Sequence, residues 1–155
     1  MRIIACVLAL CAPFPALALS CVAPSVERTY EYAQKSSATY VVVHGKVTFN
    51  DRKLPREGST SQNPPKMTKI SATLSGRSLS KSGFSTPFQQ AITLEVACFG
   101  PWCGSGENGM DVLAFLKKGK GGYTLAIDPC GGEVFVNPQP AKLKKVESCF
   151  KRGQC

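Results

Sequence analysis

The sequence predicts a mainly β domain, built on one small core, with a short helix at each end and disulfide staples. Three observations carry that expectation. Runs rich in β-branched and aromatic residues, such as YVVVHGKV (40–47) and YTLAI (123–127), recur between Gly-, Pro- and Ser-rich breaks, the pattern of strands and turns. Beyond residue 18, helical spacing shows only near the two ends. The cysteines in that stretch form an even set of six, which in an exported chain reads as a disulfide framework.

The export expectation comes from the first residues. MRIIACVLALCAPFPALA has one charge at Arg2, an apolar run from Ile3 to Ala12, and the small-x-small triplet Ala16-Leu17-Ala18, the layout of a secretory signal peptide. The run is shorter than the ~20 residues that cross a bilayer, and Pro13 and Pro15 interrupt it, so no transmembrane segment is expected. Residues 1–18 are therefore set apart, and 19–155 is read as one domain of 137 residues, enough for its own core. A competing pattern is the small-residue approach to Cys21, as in lipid-anchored exported proteins, although the usual aliphatic residue three before the cysteine is missing.

The first element is a helix within Pro24–Ser37, with Ser25 as N-cap and Val26, Tyr30 and Ala33 on one face. Ala38–Phe49 follows as a long strand bent at Gly45, since glycine inside a strand marks a bulge or tight bend. Residues 50–66 carry charge, Pro, Gly and Ser without apolar periodicity and read as a solvated loop. Met67–Leu74 is a strand with Met67, Ile70, Ala72 and Leu74 towards the core, and residues 75–86 read as a Ser-, Lys- and Gly-rich turn.

Phe88–Cys98 supplies the next strand, with Ile92, Leu94 and Val96 on one face. Asp111–Leu116 and Tyr123–Ile127 flank KKGKGG and read as a hairpin. Glu133–Val136 adds a brief strand, and Pro140–Lys151 a helix with Leu143, Val146 and Phe150 inward, ended by Gly153. About five strands with short N- and C-terminal helices point to a five-stranded OB-type β-barrel.

The six cysteines are Cys21, Cys98, Cys103, Cys130, Cys149 and Cys155. Six allow 15 pairings, and sequence alone does not choose among them. Within CFGPWCG, four residues separate Cys98 from Cys103. Thioredoxin-like redox centres have two, and a zinc knuckle would need a matching second pair. The stretch therefore reads as an oxidised loop at a strand end, with Cys98 and Cys103 joined to each other or to Cys21 and Cys130. Trp102 beside it is read as packing area before it is read as a ligand contact. No metal and no cofactor is expected.

Catalysis has little to stand on. The single histidine, His44, lies mid-strand, and no Gly-x-Ser-x-Gly elbow is present. Nothing in the spacing of the acidic residues marks a general acid/base pair. The chain is read as no enzyme.

Residues 19–155 carry 18 basic and 10 acidic residues, a net charge of about +8, which favours acidic partners through long-range attraction. Lys117, Lys118 and Lys120, with Lys142, Lys144 and Lys145, would form one anionic-ligand patch if their elements are neighbours. A solvated lysine face is the plainer reading. An exported protein seldom meets nucleic acid, so none is expected as a partner.

The order of features also resembles a known group. A signal peptide, Ser20-Cys21-Val22-Ala23-Pro24-Ser25, a helix, YVVVHGKV, VACFGPWCG, VLAFLKK and YTLAIDPCGG before a cysteine-bearing helix resemble the netrin-type module shared with the tissue inhibitors of metalloproteinases. The resemblance is particularly to bacterial exported proteins of that broad group without an assigned function. The resemblance spans most of 20–150 and implies an OB barrel with disulfides tying the N-terminal segment to it. In the animal inhibitors a Cys-x-Cys segment enters the protease cleft, and its first cysteine chelates the catalytic zinc. Cys21 matches the second cysteine of that segment, whereas Leu19 stands where the first would be.

The resulting expectation is a non-enzymatic, disulfide-stabilised module in the periplasm or secreted, binding a protein partner through Leu19, Ser20, Cys21, Val22 and Trp102, with inhibition of a protease or another protein as one form of that binding. The alternative is a basic module for anionic glycans or envelope surfaces, acting through the six lysines.

Overall fold

The computed structural model describes residues 19–55 and 64–155. The signal-peptide reading and residues 56–63 of the long-loop reading lie outside those residues. Helix α1 is Val26–Lys35, β1 Thr39–Phe49, β2 Met67–Ser80, β3 Gly83–Phe99, β4 Trp102–Cys103, β5 Met110–Gly119, β6 Gly122–Ile127, β7 Val134–Val136 and α2 Pro140–Arg152, with one 3-10 turn at Asp51–Lys53. The fold is mainly β, with 49% of the described residues in strands and 20% in helices.

β1 is the hinge of the sheet, because it pairs antiparallel with β2 on one side and with β5 on the other. β2 pairs antiparallel with β3, β3 pairs parallel with β6, and β6 pairs antiparallel with β5. The pairings β1–β2–β3–β6–β5 thus return to β1. β4 and β7 lie off this path, β4 on β3 and β7 on β5.

Two apolar clusters explain the sequence pattern. Val43, Val47, Ile70, Leu74, Leu94 and Val96 belong to one, joined by Val112, Ala114 and Leu116 of β5. Val42, Leu113, Phe115 and Phe135 form the other, with Val26 of α1 and Val146 of α2. Successive residues of a strand face opposite sides, so the unbroken runs VVV and VLAFL arise because β1 and β5 are covered on both faces.

Gly45 does mark a constraint, and the constraint is a close approach. Gly45 pairs with Gly76 across β1 and β2. A Cβ on Gly45 would lie 2.3 Å from the Ser75 carbonyl oxygen, and one on Gly76 would lie 2.1 Å from that of His44. Only glycine fits at both positions.

Three expectations need correction. Residues 75–86 are no extended turn: β2 and β3 stay paired to Ser80 and Gly83, with a register shift at Ser78/Leu79. Leu79 and Phe84 at this tip pack on the cluster beneath the helices, which rewards continuing the ribbon. Met67 lies 45% exposed at the start of β2 rather than in the core. Phe150 is likewise only partly covered, at 37% exposure, whereas Cys149 beside it is buried.

The helix signals are realised closely. The Ser25 hydroxyl accepts from the Arg28 N–H at 3.2 Å, and α2 starts on Pro140 and ends at Gly153 in the left-handed conformation, φ 71°.

Replacing Gly45 by Ala, or Gly76 by Val, forces backbone apart at the β1–β2 crossing. We expect each to cost about 1–3 kcal/mol or more, read as a lowered urea midpoint; an unchanged midpoint would contradict the close approach.

Candidate interaction site

The cysteines resolve into Cys21–Cys130, Cys98–Cys103 and Cys149–Cys155. The local alternative for CFGPWCG is the one realised: Cys98 and Cys103 face each other across the β3–β4 pair. Cys149–Cys155 clips the chain end back to α2. Cys21–Cys130 joins residues 109 apart in sequence and ties the N-terminal segment to the loop after β6. In this bond the Cys21 sulfur has Cys130 as its partner, the alternative to the lipid linkage weighed for it above.

Three further contacts hold this segment. The Pro24 ring lies against Gly131. Thr29 donates its hydroxyl to the Gly132 carbonyl at 2.7 Å, and the Arg28 guanidinium donates to the Ala23 carbonyl. Residues 21–24 are therefore pinned along the 128–132 loop.

A groove lies on each side of that ridge. One, of about 620 Å³, is lined by Leu19, Cys21, Trp102, Ile127, Val134 and Val136 among others. The second, of about 450 Å³, is lined by Val22, Arg28, Tyr32, Asp128 and Glu133 among others. Asp128 and Gly131 border both. Val22, which borders the second, stands 78% exposed, and Ser20 is also exposed. Of the expected partner-binding set, Leu19, Cys21 and Trp102 thus meet in one groove while Val22 borders the other. Trp102 is half-buried, a wall of the groove as much as a packing residue.

Val134, Val136 and Ile127 were not singled out from the sequence. EVFV gave a strand but not its neighbours, and only the pairing with β5 brings it beside Trp102 and Leu19.

Behind the second groove, the Tyr40 hydroxyl donates to Glu133 Oε1 at 2.9 Å. Burial pushes the Glu133 carboxyl above the ordinary carboxylate range, against the opposing pull of the Tyr40 hydroxyl, the Ala126 N–H and the Lys117 charge. Burial, then Glu133, pushes the Tyr40 phenol well above its ordinary value, so it remains a donor at physiological pH.

His44 Nε2 lies 3.2 Å from Asp111 Oδ2, with the Phe84 ring edge-on at 5.8 Å between centroids. Among the described residues no group of three or more His, Cys, Asp or Glu side chains is placed to hold a metal ion.

The six lysines sit on two elements. Lys117, Lys118 and Lys120 are exposed at the β5–β6 turn, and Lys142, Lys144 and Lys145 are exposed on α2. Two of the latter are engaged within the chain: Lys145 pairs with Glu27 at 3.3 Å, and the Lys142 ammonium lies 5.3 Å from the centre of the Phe135 ring.

Three disulfides fit an oxidising compartment, and no helix among the described residues is long and apolar enough to cross a membrane. No protein family, curated protein or solved structure matches the chain.

The raised Glu133 carboxyl means that the folded state holds this proton more tightly than the unfolded chain does. Its contribution to stability is present at acid pH and is lost as pH rises from the ordinary carboxylate range through the raised folded value. Glu133→Gln keeps an acceptor for Tyr40 and removes the titration. Urea midpoints should therefore match the wild type at acid pH and exceed it at neutral pH; a constant difference between the two proteins across that window would contradict the assignment.

Proposed function

We propose that the protein is an exported, non-enzymatic protein-binding module of the netrin/TIMP-like OB type, with the segment 19–22 as its contact ridge. Inhibition of a protease or another protein is one form that such binding takes. The OB-barrel part of the reading is supported by the returning path of pairings, in which β3–β6 alone is parallel.

One observation carries the functional part: the Cys21–Cys130 bond holds a segment that exposes Val22 at 78% on the border of a groove. A bare apolar residue on a chain already fixed at both ends loses little conformational freedom when it docks, which is what preorganisation contributes to affinity. In the chain-entropy picture, a bridge closing a loop of about 100 residues removes roughly 4.7 kcal/mol worth of unfolded-state freedom. Leu19 carries no bridge, so the reading rests on the ridge and not on a zinc-chelating terminal amine.

The alternative, an anionic-glycan module working through the lysines, has less support because Lys142 and Lys145 already have partners in the chain.

The test is capture of a partner by cross-linking from the exported fraction of the producing cell, followed by titration with the purified partner. Val22→Asp should weaken binding at least about tenfold with the melting temperature unchanged. Lys117→Glu with Lys118→Glu should change it little at physiological salt. Salt-sensitive heparin retention abolished by the lysine changes, with binding to the partner indifferent to Val22→Asp, would instead favour the glycan reading.

A further inference from the structure

We propose that the outer edge of β7 is a β-addition site for an extended peptide segment with apolar residues in alternation and basic residues at its flanks. This rests on the protein-binding reading above and names what the partner presents.

The edge follows from the register. β7 pairs with β5 as Val112↔Val136, Leu113↔Phe135 and Ala114↔Val134. On either side, the Asn137 N–H donates to the Asp111 carbonyl and the Phe115 N–H to the Glu133 carbonyl, each at 2.8 Å. In an antiparallel pair, hydrogen-bonded and non-hydrogen-bonded positions alternate. Residues 133, 135 and 137 therefore point their backbone groups at β5, and Val134 and Val136 point theirs the other way. β7 pairs with no strand but β5, so among the described residues no strand takes up those two N–H and two C=O groups.

The space beside this edge has the shape of a furrow. Val134 and Val136 line the groove of about 620 Å³ together with Leu19, Trp102 and Ile127. Through Val136 and Ser105 it runs on into a hollow of about 700 Å³ bordered by Lys46, Glu107 and Asp111. Val134 is only 8% exposed, so its outward groups are recessed. Unpaired backbone groups along an apolar-walled furrow suit an extended chain, whose own backbone supplies the hydrogen bonds and whose alternate side chains fill the pockets. At three residues the strand is short enough not to invite indiscriminate pairing.

Charge selects the occupant. The furrow is bordered by Glu107, Asp111 and Asp128 against Lys46 alone, a locally acidic lining in a strongly basic chain. Screening over about 8–10 Å at physiological ionic strength leaves these near charges to decide. A second copy is disfavoured, because a three-residue edge buries far less than a stable dimer needs.

The experiment pans a phage-displayed library of linear heptapeptides on the oxidised protein, with Val136→Pro as the counter-target. Proline at 136 removes an outward N–H and no ladder bond, so the variant should melt cooperatively near the wild type. Recovered peptides should alternate apolar residues and carry Lys or Arg. They should lose at least about tenfold in affinity on Val136→Pro and weaken on Glu107→Gln. On the wild type they should slow amide exchange at Val134 and Val136, a readout independent of any variant.

No recovered peptide, peptides that leave those two amides unprotected, or protection that depends on the protein's own concentration would overturn the proposal, the last by pointing to a second copy. A partner lost on Val22→Asp but indifferent to Val136→Pro would sink this inference alone and leave the contact ridge standing.

Discussion

Everything in this molecule hangs on β1 being paired along both edges at once. Val43 to Val47 face residues of β2 on one side and of β5 on the other, so one strand joins the two ends of the pairing path. That double duty fixes its composition. Both faces are covered, which asks for apolar residues in succession, and the inward face meets β2 closely enough at Gly45 and Gly76 to exclude any side chain. A single strand thus defines the apolar interior, the platform for the two helices and the register of β5.

The candidate site is a consequence of that register. β6 stays with β5 only near the turn, Lys117↔Thr124 to Gly119↔Gly122, before running parallel to β3. β7 takes the place beside β5 that β6 gives up. The loop from Asp128 to Glu133 bridges that change of neighbour, and it is this loop that Cys130 fastens to the N-terminal segment. Partly buried polar links reinforce the junction: Thr29 reaches the loop from α1, and Tyr40 reaches Glu133 from β1. The ridge therefore stands where several elements converge, although residues 19–25 contain no regular structure.

Much of the fold was legible because its signals are local. Ser25 as N-cap, Pro140 and Gly153 as helix limits, and the alternation of Ile92, Leu94 and Val96 each follow from neighbours in sequence. What was not legible is set by tertiary choice. The ribbon beyond Gly76 looks like a turn by composition, and only the packing of Leu79 and Phe84 beneath the helices makes it strand. Met67 has the right residue type for a core position but sits at an exposed strand start. The six cysteines gave 15 maps, of which geometry keeps one. For the site, the sequence offered Leu19, Cys21, Val22 and Trp102 as separate points. It carried no sign that Val134 and Val136 would turn their backbone groups towards the same groove, because edge position depends on which strand leaves and which replaces it.

The central claim is that the N-terminal segment binds a protein because it is held rigid by the Cys21–Cys130 bond. The direct measurement is the affinity of the purified partner for the wild type and for a Cys21→Ser, Cys130→Ser variant, taken well below the melting temperature of both. A loss of at least about tenfold, with the strand core still protected from amide exchange, is the predicted result. Equal affinity with the segment released would contradict the account.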